Sequence, residues 1–164
     1  MNIEAQSGTE HLIGLISDTH GMVRPDVHTV LAGVELILHA GDVGEGVLSE
    51  LRTIAPVRAV FGNTDPPGYP DLEEAIDLVV GGVSIHVSHG HETGSPKPEK
   101  LSSIYGSDVI VYGHTHRQLI FEVGGRLVIN PGAAGARRFS LSPSVGLLRI
   151  AKGTASAEIV SLDD

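Results

Sequence analysis

Five apolar runs of strand length each end in a short motif of Asp, Asn or His beside a glycine, and this coupling of strand end to polar donor restricts the fold most. The motifs are Ser17-Asp18-Thr19-His20, Gly41-Asp42, Gly62-Asn63, Ser88-His89-Gly90 and Gly113-His114-Thr115-His116. Sites in open α/β folds gather beyond the carboxyl ends of strands, which is where these motifs fall.

Leu12 to Ile16 predicts the first strand, and Arg24-Pro25-Asp26 opens a helix through Leu31. Glu35 to His39 carries the continuous apolar Leu36-Ile37-Leu38 expected of a strand covered on both faces. A helix over Gly46 to Ile54 and a strand over Val57 to Phe61 follow. Beyond Pro66, Pro67 and Pro70 the texture changes to hairpins. Ala75 to Val80 pairs with Val83 to Val87 across Gly81-Gly82, Leu119 to Val123 with Leu127 to Asn130 across Gly124-Gly125, and Val145 to Ile150 with Ala155 to Val160 across Lys152-Gly153. Pro98 to Tyr105 predicts a helix, and Asp108 to Tyr112 a strand delivering the last His pair. An alternating first half and a hairpin-rich second half predict an α/β fold, a four-layer α/β/β/α sandwich of two mixed β-sheets packed face to face with helices outside. A polar tail over 1–10 precedes a single domain over 11–164.

With no cysteine in the chain, disulfides and thiolate zinc sites are excluded. Eleven basic against twenty acidic residues leave a formal charge of -9, which argues against a general nucleic-acid surface. No apolar stretch is long enough to span a bilayer, and Met1 to Glu10 lack the pattern of a secretory signal, so a cytoplasmic protein is expected.

Asp18 and His20 are two residues apart, as are His114 and His116, and an extended backbone would point both members of each pair to one side. Bare carboxylates and imidazoles meeting in one cavity would repel or desolvate one another, whereas metals satisfy them. Asp42 has two oxygens with which to bridge, Asn63 a neutral carbonyl oxygen, and His89 another imidazole. A thiol-free set of this kind points to a pair of divalent cations, which clamp the attacking and leaving oxygens in phosphate-ester hydrolysis. Two dications outweigh two aspartates and one hydroxide, giving a positive spot in an acidic chain. Metal loading is therefore expected to precede binding of an anionic substrate.

The motifs, together with Ile129-Asn130-Pro131-Gly132, resemble those of the calcineurin-like metallophosphoesterase superfamily, specifically its small YfcE-like phosphodiesterase branch, from about Leu12 to Ile150. The resemblance implies that Asp18, His20 and His116 hold one metal, Asn63, His89 and His114 a second, and that Asp42 bridges them. It implies Mn²⁺, with Fe, Zn, Ni or Co as alternatives, and a metal-bridging hydroxide that attacks phosphorus. Larger members usually follow Gly-Asn with a His thought to protonate the leaving group. Here that position is Thr64, whose hydroxyl can hydrogen-bond a phosphate oxygen but titrates too high to be a general acid. Asp65 matches the residue that would orient the missing His, and His91 becomes the candidate proton source. Catalytic roles are accordingly expected of Asp42, Asn63 and His91, and substrate contacts of Thr64, Arg137 and Arg138.

His11, His28, His39 and His86 lack a partner motif and are read as surface or hydrogen-bonded core residues. The expected function is phosphodiesterase action on a small phosphodiester or phosphorylated metabolite, clearest on activated aryl diesters, in a protein that forms homo-oligomers. The competing function is a non-catalytic metal-binding scaffold for protein interaction on the same fold, the role assigned to a retromer relative of this branch.

Overall fold

The computed structural model describes residues 2–3, 10–66, 68–137 and 140–162. The strands are β1 (Asn2–Ile3), β2 (Glu10–Ile16), β3 (Leu36–His39), β4 (Val57–Val60), β5 (Leu72–Glu73), β6 (Ile76–Val80) and β7 (Val83–Val87), then β8 (Val109–Val111), β9 (Leu119–Val123), β10 (Arg126–Asn130), β11 (Ser144–Ala151) and β12 (Thr154–Ser161). The helices α1 (Pro25–Val30), α2 (Val47–Leu51) and α3 (Pro98–Ile104) are short, and a single 3₁₀ turn covers His91–Thr93.

One sheet has the order β12-β11-β2-β3-β4-β5, with β2 through β5 parallel and the β11–β12 hairpin added antiparallel to β2. The other has the order β1-β6-β7-β8-β10-β9, in which β7, β8 and β10 are parallel. The three expected hairpins turn on Gly81-Gly82, Gly124-Gly125 and Lys152-Gly153, every one of these residues having positive φ.

The central strands of both sheets bury one face between them. Ile13, Leu15 and Leu38 meet Leu78, Ile85, Val109 and Ile129 there. Val27 and Leu31 of α1 and Val47 and Leu51 of α2 cover the outer face of the first sheet against Ile16 and Ile37, while Leu101 of α3 packs with Ile110 and Val128 of the second. The layers are thus α/β/β/α, as the sequence predicts. Helices of five to seven residues have little stability of their own. Burial of the apolar side chains, about 1.5–3 kcal/mol for each large one, must hold them in place.

Three details differ from expectation. Within the segment expected to be a tail, Asn2–Ile3 pairs in parallel with Val79–Val80. The two-residue strand β5 has no counterpart in the sequence pattern. Finally, α2 stops at Leu51 rather than Ile54, because the chain tightens there: the Thr53 N–H donates to the Glu50 carbonyl (3.1 Å) and the Ile54 N–H to that of Leu51 (2.9 Å).

Candidate metal centre

The C-terminal ends of β2, β3 and β4 are neighbours in one sheet and those of β7 and β8 in the other, and backbone bonds stitch the loops beyond them. Asp18 N–H donates to the Gly41 carbonyl, His20 N–H to that of Asp42 and Gly113 N–H to that of His89, each at 3.0 Å. Across the sheets, the His114 N–H donates to Asp18 Oδ2 (3.1 Å) and His89 Nδ1 to the Ala40 carbonyl (2.7 Å).

The expected extended backbone is not what aims the paired donors. Asp18, His20, His114 and His116 all lie at φ between 46° and 73°, as does Asp42 at 54°. Left-handed backbone costs a residue with a Cβ free energy, and it persists where surrounding contacts impose it, typically at functional sites. Here loop-to-loop bonds hold Asp18, His20, Asp42 and His114.

These conformations bring all seven predicted donors into one cluster. Donor atoms of Asp18, His20, Asp42 and His116 lie within 4.8 Å of one another. Asn63 Oδ1 sits 3.1 Å from His89 Nε2 and 3.0 Å from His114 Nδ1. Asp42 joins the two groups: its Oδ2 is 3.3 Å from His89 Nε2 and 3.7 Å from His20 Nε2, while Oδ1 accepts the Thr64 N–H (3.0 Å). Asp18 Oδ2 accepts the Ser17 hydroxyl (2.7 Å). That leaves Asp18 Oδ1, buried and without a hydrogen-bond partner, 3.4 Å from His116 Nε2.

The fit to divalent cations can be judged from His89. Its Nδ1 gives its proton to the Ala40 carbonyl, so in a neutral ring Nε2 aims a lone pair at acceptor oxygens of Asn63 and Asp42. Only a positive charge reconciles those lone pairs, whether a proton or a cation. Burial lowers the His89 pKa, but the Asp42 hydrogen bond, the Asp18 and Asp42 charges and the Ala40 carbonyl together raise it. Burial likewise opposes ionisation of Asp42, yet His89 and the Thr64 N–H hold its carboxyl well below the usual carboxylate range. His114 is pushed down by burial and by His89. An ionised Asp42, converging imidazoles and the buried orphan oxygen of Asp18 suit oxygen- and nitrogen-binding dications.

Supporting side chains hold the loops. His39 accepts the Gly41 N–H at Nδ1 (3.1 Å), so its Nε2 proton goes to Thr19 Oγ1 (3.0 Å), whose hydroxyl donates to the Val43 carbonyl (2.6 Å). Complete burial lowers its pKa to about 4 and keeps it neutral. Asp65 accepts the N–H groups of Val43, Gly44 and Gly62. It ties two loops together rather than waiting on a histidine. Asn130 donates to the Gly113 carbonyl and to Thr115 Oγ1 and accepts the Gly132 N–H, bracing the last motif. Two of the motif glycines serve close approach rather than a sharp turn. A Cβ on Gly62 would stand 2.1 Å from Asp42 Oδ1, and one on Gly113 2.1 Å from Ser17 Oγ.

The other expected residues are placed less tightly. The His91 ring centroid lies 5.3 Å from that of His89 and 6.3 Å from that of His114, with a buried Nδ1 that lacks a hydrogen-bond partner. The Thr64 side chain is exposed beside Asp42. Arg137 is exposed two residues beyond Gly135, which abuts the Thr19 backbone, and Arg138 lies outside the described residues. His11 pairs with Glu35, His28 with Glu50 and His86 with Asp77, as expected of histidines outside the motifs. His39 is the hydrogen-bonded core residue the sequence allowed, but sequence reasoning did not place it at the motif loops and gave Thr19 no role. Their signal is a Thr inside the first motif and a His ending an otherwise apolar strand.

A family model described as the calcineurin-like phosphoesterase superfamily domain matches residues 12–153. A protein named "Probable metallophosphoesterase" from Methanothermobacter thermautotrophicus is 34% identical over 158 residues, covering 91% of each chain. "Phosphodiesterase MJ0936" from Methanocaldococcus jannaschii is 30% identical over 155 residues, covering 83% of this chain and 91% of its own. Among solved structures, wild-type Vps29 complexed with Zn²⁺ from Entamoeba histolytica superposes with a TM-score of 0.77 at 26% identity, covering 92% of this chain and 98% of the other.

Proposed function

The chain belongs to the calcineurin-like phosphoesterase superfamily, and from that premise we propose that it is a dinuclear metal-dependent phosphodiesterase. The observation that carries this reading is the position of His89 Nε2 between Asn63 Oδ1 and Asp42 Oδ2, where an unprotonated ring requires a cation. Asp18, His20 and His116 would hold one ion, Asn63, His89 and His114 the other, and Asp42 both; Mn²⁺ is the first choice. When bound, such ions activate water as a nucleophile and offset the charge developing on phosphorus.

The remaining work falls to the chain. Ser17, the His114 N–H and the Thr64 N–H fix the two aspartates, and the Ala40 carbonyl fixes the His89 ring. Exposed Thr64 would hydrogen-bond a phosphate oxygen, and Arg137 and Arg138, which follow the Gly132 to Gly135 segment in sequence, would supply positive charge. His91 stands beside the cluster with a free Nδ1 and is the candidate proton donor to the leaving group. Where His91 does not supply that proton, threonine in place of a histidine at position 64 leaves aryl diesters, whose aryloxide departs without one, as the best substrates.

After chelation, Mn²⁺ should restore hydrolysis of a chromogenic aryl phosphodiester in wild type and in Asp42→Ala should leave it at least a hundredfold lower. Wild type inert with every divalent ion tried would contradict the proposal. The likeness to a Zn²⁺-bound Vps29 would then favour a metal-binding scaffold instead.

A further inference from the structure

Beside the metal cluster, a cavity of about 380 Å³ opens at the same rim, a volume within the range typical of small-molecule sites. Both sheets contribute to it. Phe61 immediately precedes Gly62-Asn63, Ser88 immediately precedes His89, and His91 lines the cavity with its ring centroid 5.3 Å from that of His89 and 6.3 Å from that of His114. A phosphorus atom held at the cluster would therefore present one of its substituents to this cavity.

The lining defines that substituent. Phe61, Ala75 and the Tyr105 ring supply apolar and aromatic surface, Glu74 and Glu92 supply carboxylates, and no lysine or arginine is present among the described lining residues. Glu92 is fixed by the Gly90 N–H at Oε1 (2.9 Å) and the Tyr105 hydroxyl at Oε2 (2.8 Å). Tyr105 is itself stacked on His86 at 3.9 Å, and His86 is held by Asp77 at 2.8 Å. Burial raises the Glu92 pKa, but these donors and the nearby Ser88 hydroxyl outweigh it and keep the carboxyl below its ordinary value. Ser88 and His91 both line the cavity, and Ser88 Oγ and His91 Nδ1 are buried without hydrogen-bond partners.

Resting on the phosphodiesterase reading above, we propose that this cavity receives the second substituent of the diester and selects one that carries an amine or ammonium group. The cleft is then bipolar. Its metal end attracts the phosphate, its carboxylate end attracts the cation, and Phe61 and Tyr105 line the space between with aromatic surface. A second anionic group in the same place would face two carboxylates.

Three p-nitrophenyl diesters with the same leaving group and a 2-aminoethyl, propyl or 2-carboxyethyl second arm test this in the Mn²⁺-loaded enzyme. The expected kcat/KM order is amine, then propyl, then carboxylate, with the amine at least tenfold above propyl. That ratio falls toward one in Glu92→Gln and is reduced in Glu74→Gln, and because it is taken within each variant, a general loss of activity does not disturb it. Equal or faster turnover of the propyl ester, or a ratio that survives both substitutions, would overturn the inference. If none of the three esters reacts, the phosphodiesterase reading itself fails, and binding still decides the cavity. Titration of the Zn²⁺-loaded protein with 2-aminoethyl methylphosphonate should shift the ring resonances of Phe61 and Tyr105, and no shift, or an equal shift with the propyl analogue, would overturn the assignment.

Discussion

His89 carries more of the site's chemistry than any other side chain, because its two nitrogens face opposite requirements. Nδ1 is committed to a carbonyl, and Nε2 faces two oxygens that can only accept. In the metal-free protein the Asp42 hydrogen bond and the Asp18 and Asp42 charges favour a proton in that place, which raises the pKa despite burial. A dication must displace it. Asp42 contributes no proton, since it is already ionised. Mn²⁺ affinity should therefore fall as pH drops through the His89 pKa, by up to about tenfold per pH unit for one displaced proton. Calorimetric titrations in buffers of different ionisation enthalpy count that proton; affinity that stays constant as pH is lowered would contradict the assignment.

The strands and loops show why part of the design was legible and part was not. Continuous apolar runs such as Leu36-Ile37-Leu38 declared buried strands, and paired residues such as Gly81-Gly82 declared hairpins, since both depend on neighbours in sequence. Two-residue strands such as β5 have no periodicity to read. The left-handed backbone at Asp18, His20, His114 and His116 was equally hidden. Asp and His do not announce positive φ as glycine does, and what imposes it here are bonds between loops distant in sequence. The donors were foreseen from their type and order, while their aim depends on tertiary packing. The motif glycines follow the same logic. Gly62 leaves room for the Asp42 carboxylate, so Gly62→Ala should cost roughly 1–3 kcal/mol of stability and weaken Mn²⁺ binding. Denaturation and metal titration of that variant check both, and wild-type values in each would show that the contact is unimportant.

Taken together, the two sheets act as one frame: a shared core sets them face to face, and five strand ends from both meet at one rim. Stability of the frame and integrity of the site are linked through His39, buried where the first two motif loops join. Its folded pKa of about 4 lies below the ordinary 6.5, so the unfolded chain binds more protons between those values. The stabilising effect of its neutrality is complete above pH 6.5 and is lost as pH falls toward 4, by an amount on the order of 3 kcal/mol. Melting temperatures across that interval should fall more steeply for wild type than for His39→Gln; parallel curves would remove His39 from the account. No helix among the described residues is long and apolar enough to cross a membrane.

Everything in the functional reading depends on two cations sharing Asp42. The most direct measurement is the number of Mn²⁺ ions held per chain after chelation, reloading and removal of free metal. The account predicts two in wild type and fewer than one in Asp42→Ala. One or none in wild type, or two retained without the Asp42 carboxylate, would contradict it.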